Sequence, residues 1–291
     1  MLNQIRIYLM GILLALFVIA CKKETNTQST TPNPPSPPPT QGNNSLDYGD
    51  SVFFITNTST DYIINPAHQG SGIYIGFPEG IEINQSTGAI NVSKSETGLK
   101  YKITFVPTGT TDSVSTNIII SGINFLDGFY RLSTADSIAL PLYNANAKNT
   151  IPGMNGGTVF DEGSGCNDAG CNVNIVNGQI NLAQTVRNGV FGTTPSNNDR
   201  HEFDLNYRIN DNSHEALNTI RVKLYYFDSM QDVTQEVYDI IASREGTIID
   251  GAKEILLAGY PIKVNSTTTI ANGSGLKVAK PRPPCIFIVS H

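Results

Sequence analysis

The chain contains no tryptophan, and its 291 residues include only four cysteines and four histidines. So few histidines leave few candidate residues for acid–base catalysis. The sequence also contains no zinc-protease helix motif, phosphate-binding loop, nucleophile elbow or EF-hand spacing. Charged residues make up 15% of the chain and the net charge is −6, so the basic footprint that nucleic acid requires is missing. These absences exclude nucleic acid as a partner and favour a protein that is not an enzyme.

Good helix formers are also sparse, whereas Asn, Thr, Ser, Gly, Ile and Val are abundant. β-branched residues favour strands, and Asn, Ser and Gly favour turns. The composition therefore predicts a mainly β protein; its division into an N-terminal β-sandwich and a following α+β domain rests on the motifs and patterns described below.

The N-terminus carries an uncharged run, residues 7–20, that ends at Cys21. The run is shorter than the roughly 20 apolar residues that span a bilayer, but it has the length of a signal-peptide core. The sequence Val18-Ile19-Ala20-Cys21 resembles a bacterial lipobox. The resemblance implies that residues 1–20 are a lipoprotein signal peptide and that Cys21 is acylated, so that the membrane is a partner through the lipid. An ordinary secretory signal beside a chance cysteine is the alternative.

The residues after Cys21 indicate where the protein resides. Lys22, Lys23 and Glu24 resemble the surface-export signals of Gram-negative lipoproteins, which implies an outer-membrane protein on the cell surface. Residues 25–45 are rich in proline and carry no charge and no aliphatic or aromatic side chain. Such a stretch cannot bury enough apolar area to fold, so residues 21–45 are predicted to form an extended tether.

Residues 46–123 show alternating apolar residues between glycine-containing turns, with a hairpin around Gly88. Their motifs resemble the Ig-like, cadherin-like repeats of bacterial surface proteins: Phe77-Pro78-Glu79-Gly80-Ile81-Glu82-Ile83, Thr87-Gly88-Ala89-Ile90 and Gly98-Leu99-Lys100-Tyr101. The resemblance implies a β-sandwich that serves as a spacer or adhesive unit and has no catalytic residues. We expect a positive φ at Gly88 and a buried Tyr101 whose hydroxyl ties a corner of the fold.

Residues 124–291 resemble no named family. Two alternating runs, 203–209 and 220–227, predict a long hairpin on either side of a turn that contains His214 and Glu215. Apolar residues at 233, 237, 240 and 241 have helical spacing, with Asp232 or Thr234 as N-cap and Gly246 as the stop. Further strands are predicted at 255–264 and 286–289, the latter at a sheet edge because prolines precede it. The pattern predicts an antiparallel sheet with about one helix.

The loop around Cys166 is the strongest candidate for a site. Cys166 and Cys171 are spaced for a local disulfide in an oxidising compartment, and Cys285 is then either a free buried thiol or an alternative partner. Asp161, Glu162 and Asp168 supply oxygen ligands of the kind that Ca²⁺ takes. Calcium is thus the one candidate cofactor beside the covalent lipid, and a zinc site at the cysteines is a further alternative.

The leading hypothesis is a non-enzymatic, lipid-anchored cell-envelope protein that presents residues 124–291 for binding or adhesion to another surface protein or a glycan. A glycan-binding accessory lipoprotein of polysaccharide capture is the second hypothesis, in which Tyr225 and Tyr226 replace the missing tryptophan. A hydrolase with an unfamiliar site in residues 124–291 is the third. His201 beside Glu202 is interpreted as a solvated pair and not as a general base.

Overall fold

The computed structural model describes residues 45–132, 137–244, 276–277 and 282–291. The chain is mainly β, and the residues described from Ser45 onward belong to one compact unit. The seven N-terminal strands are β1 (Val52–Phe53), β2 (Ile63–Ile64), β3 (Gly72–Phe77), β4 (Glu82–Asn84), β5 (Ile90–Asn91), β6 (Leu99–Pro107) and β7 (Val114–Ile120).

These strands form two facing sheets, which we call the first sandwich. One sheet has the order β1-β7-β6-β3, with β1 parallel to β7, and the other contains β4-β5-β2. Tyr74, Leu99, Tyr101 and Ile103 fill the space between them and are fully buried. Splitting the strands between two sheets with Greek-key connections is the immunoglobulin-like arrangement that the motif resemblance implied.

Two local predictions in this region are confirmed. Gly88 has a φ of +74°, and the Tyr101 hydroxyl donates to the backbone oxygen of Glu96 at 2.8 Å, which ties the corner before β6. Gly80 also has a positive φ, so the bend after Pro78 depends on a residue without a Cβ.

The remaining strands are β8 (Ile123–Phe125), β9 (Gly128–Arg131), β10 (Ile138–Ala139), β11 (Pro141–Tyr143), β12 (Val159–Phe160), β13 (Ile180–Asn181), β14 (Asp199–Arg208), β15 (Asn218–Phe227), β16 (Leu276–Lys277) and β17 (Cys285–Val289). The helices are α1 (Gly165–Asp168), α2 (Leu182–Arg187) and α3 (Gln235–Ser243). Strands β12-β14-β15-β17-β9 form a five-stranded sheet, while β16 pairs with β4 of the first sandwich. The long hairpin β14–β15 and the helix α3 lie where the sequence predicted them.

Helix α3 covers the outer face of the five-stranded sheet. Val237 packs there against Tyr225, Phe227, Cys285 and Phe287. With one face against this helix and the other against the main core, the end of β15 and all of β17 are buried on both sides. That arrangement explains why residues 224–227 are continuously apolar although the strand begins with alternation.

The prediction of an edge position for the last strand is wrong. β17 lies between β15 and β9 and is parallel to both, whereas the sheet is antiparallel from β12 to β15. Pro283 and Pro284 precede the strand and do not lie in it, so no hydrogen bond of the sheet is lost. The predicted stop at Gly246 and the predicted strand at 255–264 lie outside the described residues.

The second half of the chain repeats the strand pairing of the first. Ile90 of β5 pairs with Ile64 on one side and Ile83 on the other. Ile180 of β13 pairs in the same way with Ala139 and Val173. We therefore call the arrangement of β10 and β13 against the five-stranded sheet the second sandwich.

The turns of the two sandwiches also correspond. Gly88 packs under the ring of Tyr74 in the first sandwich, and Gly178 packs under the ring of Phe160 in the second. Both glycines have positive φ, and each donates its N–H to the backbone oxygen of the asparagine four residues earlier, Asn84 or Asn174. Asparagine and glycine at the same spacing thus build the same hairpin turn twice.

Candidate functional site

Asp161 is the centre of the loop that the sequence singled out. Its side chain is buried, and Oδ1 accepts the backbone N–H of Cys166 at 2.8 Å. Oδ2 accepts the backbone N–H of Asn167 at 2.9 Å and the side-chain amide of the same residue at 2.6 Å. Both oxygens therefore hold the first turn of α1, as an acidic side chain at a helix N-terminus does.

The other two carboxylates of the loop do not join Asp161. Glu162 pairs with the guanidinium of Arg208, and Asp168 is exposed at the end of α1. Within the described ranges, no three His, Cys, Asp or Glu side chains converge as a metal site would require. The calcium and zinc sites stay predictions, and the geometry of this loop gives them no support.

The three described cysteines are buried free thiols. Cys166 and Cys171 belong to the same core cluster, and the N–H of Cys171 donates to the backbone oxygen of Cys166 at 2.9 Å. Burial raises the pKa of the Cys171 thiol to about 12 and raises that of Cys166 further, so neither is poised as a nucleophile. Their disulfide stays a prediction.

Cys285 lies apart from that pair. It contributes to the cluster under α3, on the face of the sheet opposite to the cluster that contains Cys166 and Cys171. Burial raises the pKa of its thiol as well. A disulfide between Cys285 and either loop cysteine would have to cross the sheet, so the structure favours an unpaired Cys285.

The histidines and tyrosines considered for chemistry do not form a site. His214 and Glu215 both have positive φ in the β14–β15 turn, where no helix forms. His201 is exposed on β14, and its neighbour Glu202 pairs with Lys223 at 2.6 Å. Tyr225 and Tyr226 are both buried, so neither ring is available as a platform for a sugar.

A buried polar cluster joins the two sandwiches, and the sequence did not predict it. The hydroxyl of Tyr207 on β14 lies 2.9 Å from the Thr97 hydroxyl and accepts the backbone N–H of Ile123 at 3.2 Å. The side-chain amide of Asn218 donates to the Tyr207 hydroxyl at 2.6 Å and to the Thr97 hydroxyl at 3.1 Å. Burial raises the pKa of Tyr207 well above its usual range, so the phenol stays neutral.

A second part of this junction lies beside the first. Asp211 accepts hydrogen bonds from Tyr143 at 2.7 Å and from Ser121 at 3.3 Å, while the backbones of Gly122 and Asn144 bond to each other at 3.0 Å. A cavity of about 10 Å³ opens here between the sandwiches, enough for about one water molecule. A space of this size holds no substrate.

Charged side chains form the third part of the junction. Asp127 accepts from Arg282 at 3.0 Å and also pairs with Arg244, while Glu96 of the first sandwich accepts the backbone N–H of Arg282 at 3.3 Å. Arg282 is only 4% exposed. Burial raises the pKa of the Glu96 carboxyl despite the nearby arginines. Two guanidinium groups thus pair with the Asp127 carboxylate at this boundary, whereas Glu96 is held by a backbone N–H.

Cys21 and the tether lie outside the described residues. Within the part of the chain that is described, no helix is long and apolar enough to cross a membrane.

Known proteins share little detectable similarity with this chain in sequence or in structure. No family model and no curated protein matches the chain. Two crystal structures of human protocadherin-24 EC1-2 are similar, each over 62% of this chain. One is 8% identical with a TM-score of 0.22 over 96% of its length, and the other is 10% identical with a TM-score of 0.23 over 94%. Scores of this size establish no shared fold, and the fold assignment rests on the strand pairing alone.

Proposed function

We propose that the chain is a non-enzymatic protein of the cell envelope, held by a lipid on Cys21, that presents its two sandwiches as binding or adhesion units. The observation that carries the proposal is the buried junction through Thr97, Tyr207 and Asn218. Buried polar groups that are fully hydrogen-bonded rigidify a structure. A rigid pair of sandwiches on a proline-rich tether suits a protein that displays a surface at a distance from the membrane.

The chemistry of the described residues supports the same function. Burial raises the pKa of the Cys166 and Cys171 thiols, and the Asp161 carboxylate caps helix α1, so these three side chains serve the fold. Spacer and adhesive units of the Ig-like kind need only shape and exposed surface. The outward-facing side chains of the two sandwiches are therefore the proposed working surface.

The test uses intact Gram-negative cells that express the full chain or its Cys21→Ser variant. We expect external protease to remove the wild-type protein, and we expect those cells to adhere to a host-cell layer or a glycan-coated surface. The Cys21→Ser cells should lose both properties. Protease resistance until the outer membrane is broken, or adhesion that is equal in the two strains, would contradict the proposal.

A further inference from the structure

The hairpin turn that the two sandwiches share has a different tip in each. In the first sandwich the tip residues are Gln85 and Ser86, which are polar. In the second sandwich they are Ile175 and Val176, which are 58% and 49% exposed. The first turn shows that this hairpin folds without aliphatic side chains at its tip. Ile175 and Val176 therefore face water although the turn does not need them there.

The backbones of the two turns are held in the same way. The side-chain oxygen of Asn84 accepts the backbone N–H of Ser86 at 2.9 Å. The side-chain oxygen of Asn174 accepts the backbone N–H of Val176 at 2.9 Å as well. Because the corresponding positions have the same geometry, the tip residues can be exchanged between the turns without changing the hairpin.

Several backbone groups of the aliphatic turn bond within the protein. The Asn174 side chain also accepts the backbone N–H of Asn177 at 3.3 Å. The backbone oxygen of Ile175 accepts the N–H of Phe160 at 3.0 Å. Taking a backbone group out of water is costly unless its hydrogen bond is made elsewhere. This turn can therefore enter an apolar medium at a lower cost than an open loop.

An exposed aliphatic residue of β12 extends the tip. Phe160 bonds to Ile175, so its neighbour Val159, which is 41% exposed, lies beside the turn. We call Ile175, Val176 and Val159 the aliphatic tip. Three exposed aliphatic residues thus meet at the edge of the five-stranded sheet.

The size of the aliphatic tip fits a lipid surface better than a protein partner. A stable protein interface takes roughly 20–30 residues from each partner. A bilayer instead accepts single aliphatic side chains anywhere on its surface, and the strength of binding grows with the apolar area that enters it. Many copies on one cell add such weak contacts together.

The charge around the aliphatic tip indicates the kind of lipid. Anionic lipids attract clusters of Lys and Arg. Residues 169–186 contain no charged residue, and the whole chain has a net charge of −6. Arg208, which lies opposite Val159, is paired with Glu162. The tip is therefore suited to lipids without net charge, such as phosphatidylcholine.

We propose that the aliphatic tip inserts into the membrane of a facing cell, at the boundary between zwitterionic headgroups and acyl chains. The inference rests on the proposed adhesive function and names a lipid surface as its partner. The three side chains leave water on insertion, while the hydrogen bonds of the turn stay intact.

The test uses the chain from residue 22 onward, which carries no lipid, attached to beads at high density through an N-terminal tag. The beads are mixed with fluorescent vesicles of phosphatidylcholine alone. We expect the wild-type chain to capture vesicles. The double variant Ile175→Gln and Val176→Ser carries the tip of the first sandwich, so it should fold, and it should capture roughly tenfold fewer vesicles.

Two further variants make the result decisive. Ile63→Gln removes an isoleucine of β2 that is 51% exposed and should leave capture unchanged. Val159→Thr changes the tip outside the turn and should weaken capture. The inference is overturned if the wild type captures no phosphatidylcholine vesicles, if capture requires added phosphatidylglycerol, or if Ile63→Gln lowers capture as much as the tip variants do.

The bead experiment does not involve Cys21, so its outcome is separate from that of the proposed function. The same tip substitutions are also made in the full chain on intact cells. Adhesion that depends on Cys21 but is unchanged by the tip substitutions would overturn this inference alone and leave the proposed function standing.

Discussion

The guanidinium of Arg282 lies 3.0 Å from the Asp127 carboxylate, and this pair fixes the start of the last strand at the boundary between the sandwiches. Both side chains are nearly enclosed, at 4% and 11% exposure. The Asp127 carboxylate also pairs with Arg244 and accepts the backbone N–H of Cys285. One carboxylate thus joins the β8–β9 turn, the end of α3 and the start of β17.

Asp127→Asn should therefore be strongly destabilising. Removing one member of a buried ion pair leaves the other charge uncompensated, at a cost of about 3–5 kcal/mol. The matched control is Glu202→Gln, which removes an exposed pair with Lys223 and should cost less than about 1 kcal/mol. Urea unfolding of both variants measures the difference. Equal losses would show that the Asp127 cluster does not stabilise the fold.

The buried Glu96 carboxyl predicts a pH dependence. Its pKa in the folded chain lies above the ordinary 4.5, so the folded state keeps its proton to higher pH than the unfolded state does. The contribution of Glu96 is fully present below pH 4.5 and is lost as the pH rises through the folded-state pKa. The free energy of unfolding of wild type minus that of Glu96→Gln should decrease as the pH rises above 4.5.

Glu236 provides a control of opposite sign. Its hydrogen bond with Arg200 lowers the pKa of the carboxyl, so its contribution is present above the ordinary value and is lost as the pH falls. The difference between wild type and Glu236→Gln should therefore increase with pH over the acid range. If the two wild-type-minus-variant differences in the free energy of unfolding change in the same direction with pH, the pKa of Glu96 is not raised in the folded chain.

The two equivalent turns predict equivalent mutational effects. A Cβ on Gly88 would lie 2.7 Å from the Tyr74 ring, and one on Gly178 would lie 2.8 Å from the Phe160 ring. Gly163 has the same kind of positive φ, but nothing lies within 4 Å of its Cβ position. Gly163→Ala should show only the backbone cost of about 1–2 kcal/mol, and the other two alanine variants should lose roughly 1–3 kcal/mol more. Thermal unfolding checks this order, which similar losses in all three would refute.

The predicted disulfide between Cys166 and Cys171 can be tested by direct measurement. Protein taken from the cell envelope, unfolded without reductant and treated with an alkylating agent, should be modified at Cys285 and at neither loop cysteine. Peptide mapping should then recover Cys166 and Cys171 as one linked peptide. Alkylation of all three thiols would show that the loop is held by Asp161 and its hydrogen bonds alone.

Much of the fold was predictable because local patterns decided it. The hairpin turns, the buried Tyr101 and the helix α3 follow from glycine positions and from the spacing of apolar residues. The position of β17 did not follow, because it depends on which distant strands it meets. Its unbroken apolar run, Cys285–Val289, was the signal for an interior strand, and it outweighs the prolines before it.

The internal repeat also left a signal in the sequence. Asn84, Gly88, Ile90 and Asn91 recur at the same spacing as Asn174, Gly178, Ile180 and Asn181. Four residues are few, and the connections between the other strands differ in length, so only the strand pairing makes the repeat plain. The junction around Tyr207 could not be predicted from the sequence, because its partners Thr97, Ile123 and Asn218 come from separate parts of the chain.

We propose that a lipid on Cys21 holds this pair of sandwiches to a membrane, and the mass of the mature N-terminus tests this most directly. Mass spectrometry of protein purified from a Gram-negative host should show a chain that begins at Cys21 and carries the mass of a diacylglyceryl group with an acylated amine. A chain with an unmodified N-terminus, or one that still carries residues 1–20, would contradict the account.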